Sequence, residues 1–174
     1  MAEQYGFWVE VDRCVECYAC EVACKAEHNV DLGVRWRRVT NVWGGSFPNV
    51  TLRSVSLSCM HCASPACEAV CPVGAIAKQS DTGAVTVDSS KCIGCHYCFY
   101  ACPFGVPAYG EDGTMQKCEL CSERLEAGLQ PKCSTTCPAG ALHFGTMTEL
   151  AKAAQEKAAM KLAASTQPSV IVSK

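Results

Sequence analysis

Up to about Gly145 the apolar positions of this chain come in short bursts separated by turn-forming residues. Tyr5 to Val11 (YGFWVEV) is apolar and aromatic and predicts a strand. Arg35 to Trp43 and Asn49 to Ser58 predict the two arms of a hairpin that turns at Gly44-Gly45-Ser46. Ala84 to Val87 (AVTV), after Asp81-Thr82-Gly83, predicts another strand, and Gly74-Ala75-Ile76 and Gly140-Ala141-Leu142 offer two more. A short helix is expected over Tyr18 to Ala26. After Gly145 the pattern changes. Thr146-Met147-Thr148-Glu149 has the form of a capping box, and Leu150, Ala154, Ala158 and Leu162 recur at i, i+4. These predict a helix over 146–164, laid on the domain or on a partner; its large apolar residues are too sparse for a membrane-surface helix. Residues 165–174 are expected to fray.

Elements this small bury little core, so something besides apolar packing must hold the 174 residues together. Composition shows what that is: sixteen cysteines. The formal net charge of −2 gives no reason to expect nucleic acid as a partner, and charged residues at 18% are few enough that a partner should cover part of the surface. The first residues carry no basic, apolar or twin-arginine signal, and no run reaches the ~20 apolar residues of a membrane span. The reading is therefore a chain with no export address or anchor of its own, which disfavours a secreted disulfide scaffold.

The cysteines fall into four groups of four. Cys14, Cys17, Cys20, Cys24 and Cys92, Cys95, Cys98, Cys102 share the spacing C-x2-C-x2-C-x3-C. Cys59, Cys62, Cys67, Cys71 are spaced C-x2-C-x4-C-x3-C, and Cys118, Cys121, Cys133, Cys137 are spaced C-x2-C-x11-C-x3-C. Proline follows Cys71, Cys102 and Cys137. Zinc would also use every cysteine, but zinc sites join separate C-x2-C pairs, and two groups here place a third cysteine within the same loop. In the run C-x2-C-x2-C-x3-C-P, three thiolates embrace one cubane and the fourth reaches a second. Four groups then give four 4Fe–4S clusters in two modules that exchange their last cysteines.

Arg13, Lys25, Lys91, Lys117 and Lys132 each adjoin a cluster cysteine, where a cation favours reduction; the alternative is ordinary solvated surface. His28, His61, His96 and His143 are expected beside the ligands or at the surface, not among them. Trp8, Trp36, Trp43, Phe99, Tyr100 and Phe104 are expected to pack the modules and shield clusters. No catalytic constellation or nucleotide loop is evident, so the chain reads as non-catalytic.

The stretch CIGCHYCFYACPFG (Cys92–Gly105), with Lys117-Cys118-Glu119-Leu120-Cys121 and Arg124 to Leu129, closely resembles the four-cluster iron–sulfur subunits of dimethyl sulfoxide reductase-family molybdoenzymes. Cys59-Met60-His61-Cys62, Pro65-Ala66-Cys67, Cys71 to Ile76 and Trp36-Arg37-Arg38-Val39 carry the same likeness, which includes subunits of polysulfide, thiosulfate and arsenate reductases. The resemblance implies an α+β fold of two ferredoxin-like modules wrapped around the clusters, one from 1–58 and 103–145, the other from 59–102. It implies one cluster on Cys14, Cys17, Cys20 and Cys137, and a second on Cys24, Cys118, Cys121 and Cys133. A third would sit on Cys59, Cys62, Cys67 and Cys102, and a fourth on Cys71, Cys92, Cys95 and Cys98. It further implies a relay of single electrons to or from a catalytic molybdenum or tungsten bis-pterin subunit, with molybdopterin in that partner only. The Cys14 end would lie nearest that partner, the Cys92 end nearest the donor. The donor would be a quinol-oxidising membrane anchor or a soluble protein, and the location extracytoplasmic at the membrane through its partners, with a cytoplasmic one as the alternative. A hydrogenase or formate dehydrogenase complex is the alternative setting.

Overall fold

The computed structural model describes residues 3–155, 160–161 and 165–173. The first strand, β1 (Tyr5–Glu10), enters a single 3-10 turn at Val11–Arg13 and then the first cysteine group. Helix α1 (Ala19–His28) carries the last two cysteines of that group, Cys20 and Cys24. Strands β2 (Arg38–Ser46) and β3 (Asn49–Leu57) form a hairpin, and α2 (Ala66–Ala69) lies within the second group. A small hairpin of β4 (Ile76–Lys78) and β5 (Val85–Val87) leads to the third group and α3 (Tyr97–Ala101). Strands β6 (Ala108–Tyr109) and β7 (Met115–Gln116) pair before the fourth group, which carries α4 (Ser122–Glu126) and α5 (Lys132–Thr135). The chain closes with β8 (Leu142–Thr146), α6 (Met147–Ala154), β9 (Met160–Lys161) and β10 (Val170–Ser173). The result is α+β, with small sheets and short helices.

The main sheet has the order β8-β1-β10-β9. Strand β1 pairs antiparallel with β8 and parallel with β10. Alternation along β1 divides its side chains between two faces. Phe7 and Val9 pack with Cys20, Leu120, Cys133 and Leu142, while Trp8 packs with Leu150, Ala154 and Ile171 under α6. A third small core joins Ile76, Val85, Cys98 and Met115. Two of these three cores contain cysteines.

The structure corrects four expectations. Residues 165–173 do not fray: Val170-Ile171-Val172 form a strand between β1 and β9. This short β-branched run finds its partner over a hundred and fifty residues away, which local pattern does not reveal. The last helix stops at Ala154, capped at its start by reciprocal hydrogen bonds between Thr146 and Glu149; Ala158 and Leu162 lie outside the described residues. The hairpin turns at Phe47-Pro48, not at the glycines, which pair inside the strands as Gly44↔Thr51 and Gly45↔Val50. Proline presets a turn dihedral and lacks a ladder donor, whereas Gly45 is needed at φ +76° because a Cβ there would stand 2.2 Å from the Asn49 carbonyl oxygen. Finally, Trp43, Phe99 and Tyr100 are exposed, not packed into the cores.

Candidate functional site

The cysteines converge as four quartets, each drawing on two groups. Cys14, Cys17, Cys20 and Cys137 line one small hollow with Val9, Val39 and Leu142. Cys59, Cys62, Cys67 and Cys102 line a second. Cys71, Cys92, Cys95 and Cys98 line a third with Ile76, Val87 and Met115. Cys24, Cys118, Cys121 and Cys133 are all buried, and Cys24 and Cys133 each interact electrostatically with both Cys118 and Cys121. The larger cleft elsewhere, about 550 Å3, contains neither cysteine nor histidine.

The donor set fits iron and sulfide. No carboxylate lines the three hollows, whose walls are mainly thiols and apolar side chains with a few other polar groups such as Lys117, Thr166, Ser56 and His96; thiolates are the soft donors that select iron–sulfur cores. Among the described residues no three His, Cys, Asp or Glu side chains stand close enough to hold a single metal ion. Thiol quartets that each draw on two cysteine groups suit polynuclear iron–sulfur cores.

Short-range geometry explains the convergence. In all four groups the residue before the second cysteine has a left-handed backbone: Glu16, His61, Gly94 and Leu120, at φ 56°, 41°, 65° and 64°. Such turns aim successive N–H groups into a concavity and favour an anionic occupant. Helices then place cysteines four residues apart on one face. Cys20 and Cys24 stand on α1, Cys133 and Cys137 on and just beyond α5, and each pair serves two different quartets. Three of the groups end at a repeated corner. After Cys71, Cys102 and Cys137 comes proline, then a glycine at φ near +60° whose N–H donates to the cysteine carbonyl (Gly74, Gly105, Gly140). Lys25 follows Cys24 instead, so α1 runs on to His28 and is closed by Asn29 in the left-handed region.

The chain is also matched by known proteins. A family model described as a 4Fe-4S dicluster domain covers residues 50–147. The chain is 41% identical to the B subunit of anaerobic dimethyl sulfoxide reductase from Escherichia coli (strain K12), over 99% of this chain and 89% of that protein. It is 41% identical to the corresponding subunit of the same reductase from Haemophilus influenzae, over 85% and 77%. The chain belongs to the iron–sulfur electron-transfer subunits of the dimethyl sulfoxide reductase family. It is also 34% identical to the formate dehydrogenase iron-sulfur subunit of Wolinella succinogenes, over 87% of this chain and 86% of that one.

Burial in this iron–sulfur subunit opposes negative charge on the cysteines. Burial raises the thiols, Cys67 and Cys133 to about 11 and Cys24 further, so each needs a cationic core or neighbour to ionise. Arg37, 2% exposed, is the largest such neighbour. Burial opposes its charge, but Cys133, Cys118, Cys20 and Cys24 outweigh it and leave its pKa raised. Its guanidinium donates to Ser56 and Ser58 and lies 4.4 Å above the Phe7 ring, while its Nε has no partner among the described residues. In the sequence Arg37 stands out only within the Trp36–Val39 stretch that carries the family likeness; nothing local marks it as buried. Of the five adjacent cations, Lys117 alone is buried, donating to the carbonyls of Val85 and Cys118; burial raises Cys59 and Cys67, and the Lys117 charge offsets part of that rise. Lys25 is half-buried, holding the carbonyls of Asp31 and Val34, whereas Arg13 and Lys91 are exposed and pair with Glu10 and Asp88.

The histidines divide as well. His28 Nε2 lies 3.1 Å from Cys121 Sγ, and that bond, then Glu119, raises its pKa to about 10. His61 is buried and accepts from the Val85 N–H; burial, then Lys117, keeps it well below the usual range and neutral. His96 stacks on Tyr109, whose hydroxyl is 3.3 Å from Cys98 Sγ. Backbone N–H groups of Ala75, Met115 and Ala141 donate to Cys71, Cys92 and Cys137 sulfurs at 3.2–3.3 Å. Donors to sulfur stabilise the more negative state of a cluster and set its potential.

Proposed function

We propose that this chain relays single electrons along four 4Fe–4S clusters, one per cysteine quartet, between a donor and a catalytic molybdenum or tungsten bis-pterin subunit. The observation that carries this is the gathering of the sixteen cysteines into quartets, three of them lining largely apolar hollows and the fourth buried. Bound clusters supply one-electron exchange, and the chain supplies position, burial and charge. Neighbouring quartets share elements in the order Cys14, Cys24, Cys59, Cys71. Arg37 faces cysteines of the first two, Cys59 interacts with Cys118 of the second, and α2 bears Cys67 of the third with Cys71 of the fourth just beyond its end. The clusters held by residues 1–58 with 103–145 would form one module, and those held by 59–102 the other.

Two relatives are named as B chains of an anaerobic dimethyl sulfoxide reductase, which supports a reductase partner here; in this reading the bis-pterin partner lies at the Cys14 end and the electron donor at the Cys92 end. Among the described residues no helix is long and apolar enough to cross a membrane. In this reading a quinol donor is a separate membrane anchor subunit, with the assembly held extracytoplasmically at the membrane. The likeness to a formate dehydrogenase subunit supports a second reading, with electrons leaving a formate-oxidising partner.

Anaerobic protein should contain about sixteen iron and sixteen labile sulfide per chain, four of each per cluster. Its reduced form should be reoxidised by dimethyl sulfoxide only when the bis-pterin subunit is present. Zinc without sulfide would overturn the relay; reduction by formate through the partner would favour the second reading.

A further inference from the structure

Resting on the cluster reading above, we infer that the Thr166 hydroxyl donates a hydrogen bond to the iron–sulfur group held by Cys59, Cys62, Cys67 and Cys102, and raises its reduction potential. The segment bearing Thr166 is tied to the loop that presents two of those cysteines. Ser64 N–H donates to the Thr166 carbonyl at 3.2 Å, Ala63 N–H to the Gln167 carbonyl at 2.9 Å, and Ser169 N–H to the Met60 carbonyl at 2.8 Å. The Ser169 hydroxyl adds a bond to the His61 carbonyl at 3.2 Å. Pro168 and Ser169 are fully buried, and the chain continues directly into β10. Thr166 is thus held in place at the wall of the hollow.

Thr166 is 6% exposed and lines the hollow together with the four cysteines. Its Oγ1 is buried and has no hydrogen-bond partner among the described residues. Buried hydroxyls without partners are rare because leaving one unmade forfeits its hydration. The rest of this wall offers no oxygen or nitrogen acceptor side chain: it is apolar apart from Lys117, a donor already committed to two carbonyls. The side-chain acceptors that remain are sulfurs: the weakly accepting Met60 thioether, the cysteines and the anionic core they hold. An O–H bond to anionic sulfur is charge-assisted and strengthens as the core gains an electron. Removing it disfavours reduction at this one centre.

The test compares Thr166→Val, which keeps the shape and removes the hydroxyl, with Thr166→Ser, which keeps the hydroxyl, by EPR-monitored redox titration of the purified full-length chain. Iron and sulfide are counted first in each. Thr166→Val should lower one midpoint by roughly a tenfold fall in its reduction equilibrium, about 59 mV for one electron, with the other centres unmoved, and Thr166→Ser should restore it. Equal potentials in both variants and the parent, all fully loaded, overturn the inference while leaving the relay intact. A parent chain without labile sulfide overturns the relay itself. Should Thr166→Val not assemble, Thr166→Ala is read by the same two outcomes. Loss of the centre in both while Thr166→Ser assembles would make Thr166 an assembly residue and overturn its role as a tuning donor.

Discussion

Four residues decide how the cysteine loops turn. Glu16, His61, Gly94 and Leu120 all sit in the left-handed region one step before the second cysteine, a conformation that costs a residue with a Cβ roughly 1–2 kcal/mol. Three of the four bear that cost, so surrounding contacts must enforce it. Only one is glycine, for a local reason: a Cβ on Gly94 would come within 2.7 Å of the Gly113 carbonyl oxygen. Gly94→Ala therefore combines strain with a collision against backbone. Its visible cluster absorbance should bleach at lower temperature, with a loss of at least about 1–2 kcal/mol. Gly113→Ala is also left-handed, but its Cβ would meet nothing within 4 Å, so its loss should be the smaller of the two.

At the scale of elements, the sheet depends on a strand that pattern reading missed. Strand β10 lies between β1 and β9, and Ile171 packs at 4% exposure against Trp8, Leu150 and Ala154. Ile171→Ala should cost about 2–5 kcal/mol, read as an earlier thermal transition by circular dichroism; an unchanged transition would be the behaviour of a loose tail. What was legible in the sequence followed from local rules. The strand at Tyr5, the helix from the first cysteine loop, the Thr146–Glu149 cap and the strands after Cys-Pro-x-Gly all depend on near neighbours. The parallel pairing of β10 did not, because a three-residue apolar run gains its identity only from β1. Cysteine spacing likewise displayed the four groups, but the burial of Arg37 and the unpartnered hydroxyl of Thr166 arise from packing between distant segments.

On the scale of the whole molecule, the apolar cores are too small to hold the chain. Two of the three include cysteines, and the Trp8 core under α6 is the one without. Ordering this much loop with so little buried apolar surface requires another source of free energy, and metal binding is folding energy in such cases. Stripping iron with a chelator under oxidising conditions should collapse the far-ultraviolet circular dichroism and expose the cysteines to thiol reagents in native buffer. Retention of the spectrum would mean that the cores suffice. The helices add a coupling between sites. Because α1 bears Cys20 for one quartet and Cys24 for the next, whatever immobilises the first sulfur also presents the second at its working position. In the proposed relay a filled site would thereby help to position its neighbour's cysteine, so the two sites would load together more readily than singly.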